Sequence, residues 1–243
     1  MEDAHTTELK LLGKKDIVIL AYSTATVVNF LINSSHFISQ NVAKYSAKNL
    51  HICIAEFETD IETAIKNSFL RTDDNMKNDR SLKDDPSKCI AVIAILTPDS
   101  EIYVGNVGDS CAVLSENSKA IPMLEDHKPT NKDETKQITE AANLVLSRTL
   151  GDFEFKKNPS LGADKQIVIA YSDVKKHKIK IESTEFLVLA CDGIWNCFKL
   201  QVVISFIRKN IAEHKDLKKA YEDLIEQYLS KTSEVSIGTD NIT

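Results

Sequence analysis

The sequence predicts an α+β domain built from stacked antiparallel sheets covered by helices. Three observations carry that expectation. Short β-rich runs alternate with turn residues through the middle of the chain. Apolar residues recur at helical spacing in the flanking stretches. The 243 residues, 42% hydrophobic and 27% charged, suit one large packed core rather than a disordered chain. Strands in the middle and paired helices at both ends fit together because each sheet must bury its outer face against something.

Taken in order, DIVILAY (Asp16 to Tyr22) reads as a strand and TVVNFLI (Thr26 to Ile32) as a second one. Asn41 to Leu50 and Glu56 to Leu70 read as amphipathic helices, the latter carrying Ile61, Ala64, Ile65 and Phe69 on one face. The charged stretch Arg71 to Ser87 reads as a solvated loop. CIAVIAIL, IYVGNV and CAVL, separated by the turns PDSE and GDS, read as a three-stranded antiparallel meander. Lys132 to Ala142 suits a short helix, Gln166 to Tyr171 and Glu185 to Cys191 suit strands, and Leu200 to Glu213 and Leu217 to Leu229 suit two closing helices.

Composition also excludes classes of function. The formal net charge of -6 offers no basic field for nucleic acid or an anionic membrane, and hints instead at bound cations. The five cysteines are scattered and lack any C-x-x-C pair, which argues against a disulfide framework or a zinc site and for a reducing compartment. The opening MEDAHTTELK has no apolar signal region. No stretch approaches the roughly 18 uncharged apolar residues that span a bilayer, since Ile17 to Gln40 is interrupted by Ser, Thr and Asn.

Of the 7 glycines, Gly105, Gly108, Gly151, Gly193 and Gly238 lie within a few residues of an aspartate at a strand end or turn. Hard divalent cations take oxygen ligands, and a glycine beside the carboxylate lets backbone and solvent approach the ion. Three such elements follow in order: VGNVGDSCAVL around Asp109, FLVLACDGIW around Asp192, and IGTDNIT around Asp240. Each alone equally suits a plain turn.

Together with MEDAHT, NVAKYSAKNLH, EDHKPTNKDE, LSRTLGDFEFK and QIVIAYSDV, these strings resemble the metal-dependent type 2C (PPM-type) serine/threonine protein phosphatases in sequence and order over nearly the whole chain. The resemblance implies a four-layer αββα sandwich in which two antiparallel sheets stack between helix pairs. It implies a Mn2+ or Mg2+ pair that activates water for in-line attack on phosphoserine or phosphothreonine. Matched position by position, Asp192 and Asp240 correspond to ligands of the first metal. Glu2 and Asp3 correspond to the acidic pair serving the second, and Asp109 to a ligand of a further, weaker site. Arg148 is expected to tie its loop to nearby carboxylates. A phosphoprotein or protein partner, a monomeric state and a cytoplasmic or nuclear location are the corresponding expectations.

The chain also departs from the family. The D-G-H-G-G run, whose aspartate bridges both metals and whose histidine is the general acid, has no counterpart. One alignment places Ser23 at the aspartate, and another sets Ser34, Ser35 and His36 against D-G-H. On the second, His36 is the candidate acid, beside the plainer reading of a structural histidine. Neither supplies a carboxylate, because Ile17 to Ala55 contains no Asp and no Glu. One metal site is therefore expected and a binuclear centre is doubtful. Cys111 stands where the family has the G-D-S-R arginine, Asn196 where an aspartate follows D-G-I-W, and SKCIA where a G-S-T-A turn is usual. Residues 1–243 thus read as one PPM-type domain without the usual N-terminal start or closing C-terminal strand. Two outcomes follow: a phosphatase with impaired activity, or a pseudophosphatase acting as an interaction module.

Overall fold

The structure, a computed structural model, describes residues 3–8, 18–26, 41–56, 60–124, 127 and 147–234. The chain divides into two compact units, Met1–Ser110 with Leu124–Lys178, and Cys111–Met123 with Ile179–Thr243. Each holds an antiparallel sheet and helices, the α+β content expected. No described helix is long and apolar enough to cross a membrane.

In the first unit, the described sheet has the order β1 (Asp3–Glu8), β2 (Val18–Thr26), β3 (Lys88–Leu96), β4 (Glu101–Val107) and β8 (Asp173–Lys178), with the short β7 (Leu150–Gly151) also paired to β3. Two helices, α1 (Asn41–Glu56) and α2 (Ile61–Asn78), pack on one face. Successive strand residues point to opposite faces. Accordingly Cys89, Ala91, Ile93 and Ile95 share one core with Val42, Leu50, Ile65, Phe69 and Met76 of the helices. At Gly105 α2 comes so close that an added Cβ would lie 2.5 Å from Ile65 Cγ2, so only glycine fits.

The second unit holds β5 (Cys111–Glu116), β6 (Lys119–Pro122) and β9 (Thr184–Ala190), in the order β6-β5-β9. Asn117 and Ser118 both take positive φ (51° and 65°), the geometry of a two-residue hairpin turn whose twist matches its strands. A short helix α3 (Asp192–Cys197) leaves β9, followed by α4 (Leu200–His214) and α5 (Leu217–Glu234). Ala190, Ile194, Phe198, Val203, Leu224 and Tyr228 form the core between them.

Four expectations are corrected. The strand expected over Asp16 to Tyr22 is described from Val18 and runs on to Thr26, and residues 27–32 of the second expected strand lie outside the described residues. The charged stretch from Arg71 is not wholly a loop: α2 runs on to Asn78, because Thr72 and Met76 extend its buried stripe. CAVL is not a third strand of the meander. The chain turns at Gly108 into the other sheet, and β8 takes the free edge of β4. QIVIAY is irregular, with one isolated parallel β-bridge from Ile169 to Arg148 among the described residues, although Val168, Ile169 and Ala170 are buried. The expected helix at 132–142 lies outside the described residues.

Candidate functional site

Strand register gathers several chemistry-bearing positions at one end of the first sheet. Asp3 opens β1 opposite Thr24, Thr24 lies opposite Ile90, Ala91 opposite Val107, and Asn106 opposite Asp173. Ser23, one candidate for the missing bridging position, is a strand residue opposite Ala4 and Ala91. Asp109, itself only 8% exposed, follows β4 at this same end.

That turn is shaped by Gly108. Its φ of +111° is left-handed, and a Cβ there would lie 2.1 Å from Ile90 Cγ2. The Gly108 N–H donates to His127 Nδ1 at 3.1 Å, while the Gly108 carbonyl accepts from the His127 N–H at 3.1 Å and from Asn106 Nδ2 at 2.8 Å. His127 Nε2 lies 3.1 Å from Asp173 Oδ2, and Arg148 Nη1 donates to Asp173 Oδ1 at 2.8 Å and to the Tyr171 carbonyl at 2.9 Å. The His127 hydrogen bond, with the Arg148 guanidinium, holds the Asp173 carboxyl well below the usual carboxylate range. Arg148 therefore ties its loop to a carboxylate, as its motif suggested.

Two further ion pairs fix the same 147–156 loop. Lys88 Nζ lies 3.1 Å from Asp152 Oδ2, and Lys156 Nζ bonds both Asp73 oxygens at 2.8 and 2.9 Å as well as the Thr149 carbonyl at 2.8 Å. Asp73 in turn accepts the Gly151 N–H at 2.8 Å. Cys89, beneath the loop, is pushed up to about 12 by burial and is an inert core thiol.

In the second unit, Asp192 stands at the start of α3 immediately beyond β9, where a negative charge suits the positive end of a helix. Its Oδ2 accepts from Asn196 Nδ2 at 2.9 Å, and Trp195 Nε1 caps the Ala190 carbonyl at 2.9 Å. The residue that replaces an expected aspartate thus serves as a donor to Asp192.

The donor chemistry present fits a hard cation. Asp109 is a carboxylate in the turn beyond β4 and Asp192 one at the first residue of α3 beyond β9, and the buried Ser110 Oγ beside Asp109 has no hydrogen-bond partner among the described residues. No three His, Cys, Asp or Glu side chains converge as a metal cage among the described residues. Glu2, His36 and Asp240 lie outside them, and Asp3 is placed by its strand position. Sequence reasoning missed His127. Its signal was its place in EDHKPT, where both neighbours are more conspicuous than the histidine.

Comparison with known proteins shows the family and the fold. The protein phosphatase 2C family profile matches residues 1–237. A protein phosphatase 2C homolog 2 from Aspergillus flavus is 36% identical over 263 residues, covering 100% of this chain and 59% of that one. The namesake from Schizosaccharomyces pombe is 36% identical over 258 residues, covering 100% of this chain and 68% of that one. The chain spans 50% of a further relative from Aspergillus fumigatus, so it corresponds to little more than half the length of several relatives. Among solved structures, a Toxoplasma gondii phosphatase matches in fold with a TM-score of 0.79 at 18% identity, covering 95% of this chain and 84% of that one. The chain belongs to the protein phosphatase 2C family.

Proposed function

We propose that the chain is a phosphatase-like domain of the metal-dependent serine/threonine type, holding one Mn2+ or Mg2+ site and acting on phosphoprotein as a monomer. The observation that carries this reading is a pair of acidic segments just beyond strand ends, the turn Gly108-Asp109-Ser110 and the helix start Asp192-Gly193, in a chain that matches the family over residues 1–237. Asp192 with Asp240 would hold that cation, while Glu2 and Asp3 correspond to the family's acidic pair for a second metal and Asp109 to a ligand of a weaker site. Such cations supply an activated water and charge neutralisation at the phosphoryl group. The protein's own part is to aim these carboxylates, and Asn196 holds the Asp192 carboxylate in one orientation. His36 is the candidate general acid. We further place the protein in the cytoplasm or nucleus, a reading that the five free thiols support.

A second reading, a pseudophosphatase that binds partners without turnover, is favoured by one specific observation. Ser23, matched to the bridging aspartate on one alignment, lies within β2 rather than in a loop, and a neutral hydroxyl there cannot offset the repulsion of two close dications. The test is manganese-dependent hydrolysis of a phosphothreonine peptide by the purified chain beside an Asp192→Asn control. Hydrolysis lost in the control supports the enzyme; equal background from both removes it in favour of the binding module.

A further inference from the structure

We infer that His127 is the positioning residue of the Gly108–Ser110 turn: as the neutral tautomer protonated on Nε2, it clamps the turn's backbone and sets where Asp109 is presented. The tautomer follows from the partners. A backbone N–H donates into Nδ1, as Gly108 does at 3.1 Å, only if that nitrogen carries a lone pair. Nε2 faces Asp173 Oδ2 at 3.1 Å, an acceptor, so the ring proton lies there.

The clamp is two-sided. While the ring accepts the Gly108 N–H, the His127 backbone N–H donates to the Gly108 carbonyl at 3.1 Å, with Asn106 Nδ2 on the same oxygen at 2.8 Å. Both backbone polar groups of Gly108, one in each of the two peptides that flank it, are thereby satisfied inside the protein. His127 is held in turn from two directions. Ser147 Oγ donates to its carbonyl at 3.0 Å, and Asp173 is fixed by Arg148 at 2.8 Å. Only 2% exposed and with both ring nitrogens engaged, His127 has no free site for proton exchange with substrate, which separates it from catalytic histidines. The link runs Arg148, Asp173, His127, Gly108, and ends one residue from a carboxylate assigned above to cation binding. That last step rests on the proposed function; the clamp itself does not.

The experiment uses the full chain. Nitrogen-15 imidazole spectra at neutral pH should show His127 with Nδ1 unprotonated and Nε2 protonated; the opposite tautomer or an imidazolium overturns the inference. Amide hydrogen exchange and Mn2+ calorimetry are then compared for wild type, His127→Leu and His127→Asn. Leucine should speed exchange at Gly108–Ser110 by about tenfold, as for loss of one buried hydrogen bond, and weaken Mn2+ binding. Asparagine, whose Oδ1 can still accept the Gly108 N–H, should restore much of both. Unchanged exchange at the turn in both variants overturns the clamp. If exchange responds while wild type binds no Mn2+, the clamp stands and the cation reading of Asp109 falls.

Discussion

Lys156 brings its ammonium within 2.8 and 2.9 Å of the two carboxylate oxygens of Asp73, a residue 83 positions earlier in the chain. Burial pushes the Asp73 carboxyl upward, against the pull of Lys156 and of the Gly151 N–H. The pair, with the Gly151 N–H on the same carboxylate, locks α2 to the loop that carries Arg148 and Asp152. Removing one partner of a buried ion pair leaves a charge without compensation. Lys156→Met should therefore lower stability by about 3 kcal/mol in urea unfolding. A loss within experimental noise would mean the charges contribute nothing to fixing the loop.

Asp173 gives the molecule a pH signature. Its carboxyl is depressed by His127 and Arg148, so the folded state favours its ionised form more than the unfolded chain does. Stability from that preference is present above the ordinary carboxylate pKa of about 4 and fades as pH falls below it. Because the side chain is 51% exposed, solvent screening limits the contribution to about 1 kcal/mol. Wild type should thus exceed Asp173→Asn in stability at pH 7, with the gap closing on acidification. A gap that stays constant from pH 7 to pH 3 would contradict the charge-based origin.

Gly108 is the least replaceable glycine of the candidate site. Alanine would be strained at φ +111° and would drive its Cβ to 2.1 Å from Ile90 Cγ2. Backbone strain and overpacking together should cost about 3 kcal/mol. Thermal unfolding of Gly108→Ala is the measurement, and a melting temperature matching wild type would show that the turn can rearrange.

Particular residues show what the sequence made legible. The helices at 200 and 217 and the strands CIAVIAIL and EFLVLAC follow from periodicity, because their apolar faces meet near neighbours. The second half of α2 did not, since Asp73 becomes acceptable in a buried face only through Lys156, a partner that no local window contains. QIVIAY misled because its apolar run is buried without a strand partner beyond the Ile169 bridge. The charged DVKKHK is the strand instead, stabilised by pairing with β4 and by Lys176 with Glu101 at 2.9 Å. At the site, the motif strings marked Asp109 and Asp192, whereas His127 emerges only when the turn's backbone partners are counted.

Under the proposed function, a carboxylate restored to the stretch from Ile17 to Ala55, which has no Asp or Glu, is a direct test of the cation reading. Ser23 lies in β2 opposite Ala91, one residue from Thr24, which faces Asp3 in register. A carboxylate introduced there by Ser23→Asp places a charge on a central strand position with no cation to neutralise it and should cost about 1–3 kcal/mol, lowering the melting temperature in chelator. With Mn2+ present, binding to the folded state alone returns stability by mass action, about 2.7 kcal/mol at a hundredfold excess over Kd. The variant should therefore show a larger Mn2+-dependent rise in melting temperature than wild type, together with increased phosphothreonine peptide hydrolysis. Ser34→Asp, built on the other alignment, is the matched comparison. A response from Ser34→Asp alone would move the bridging position to that frame, and no response from either would show that loss of one carboxylate does not explain the divergence.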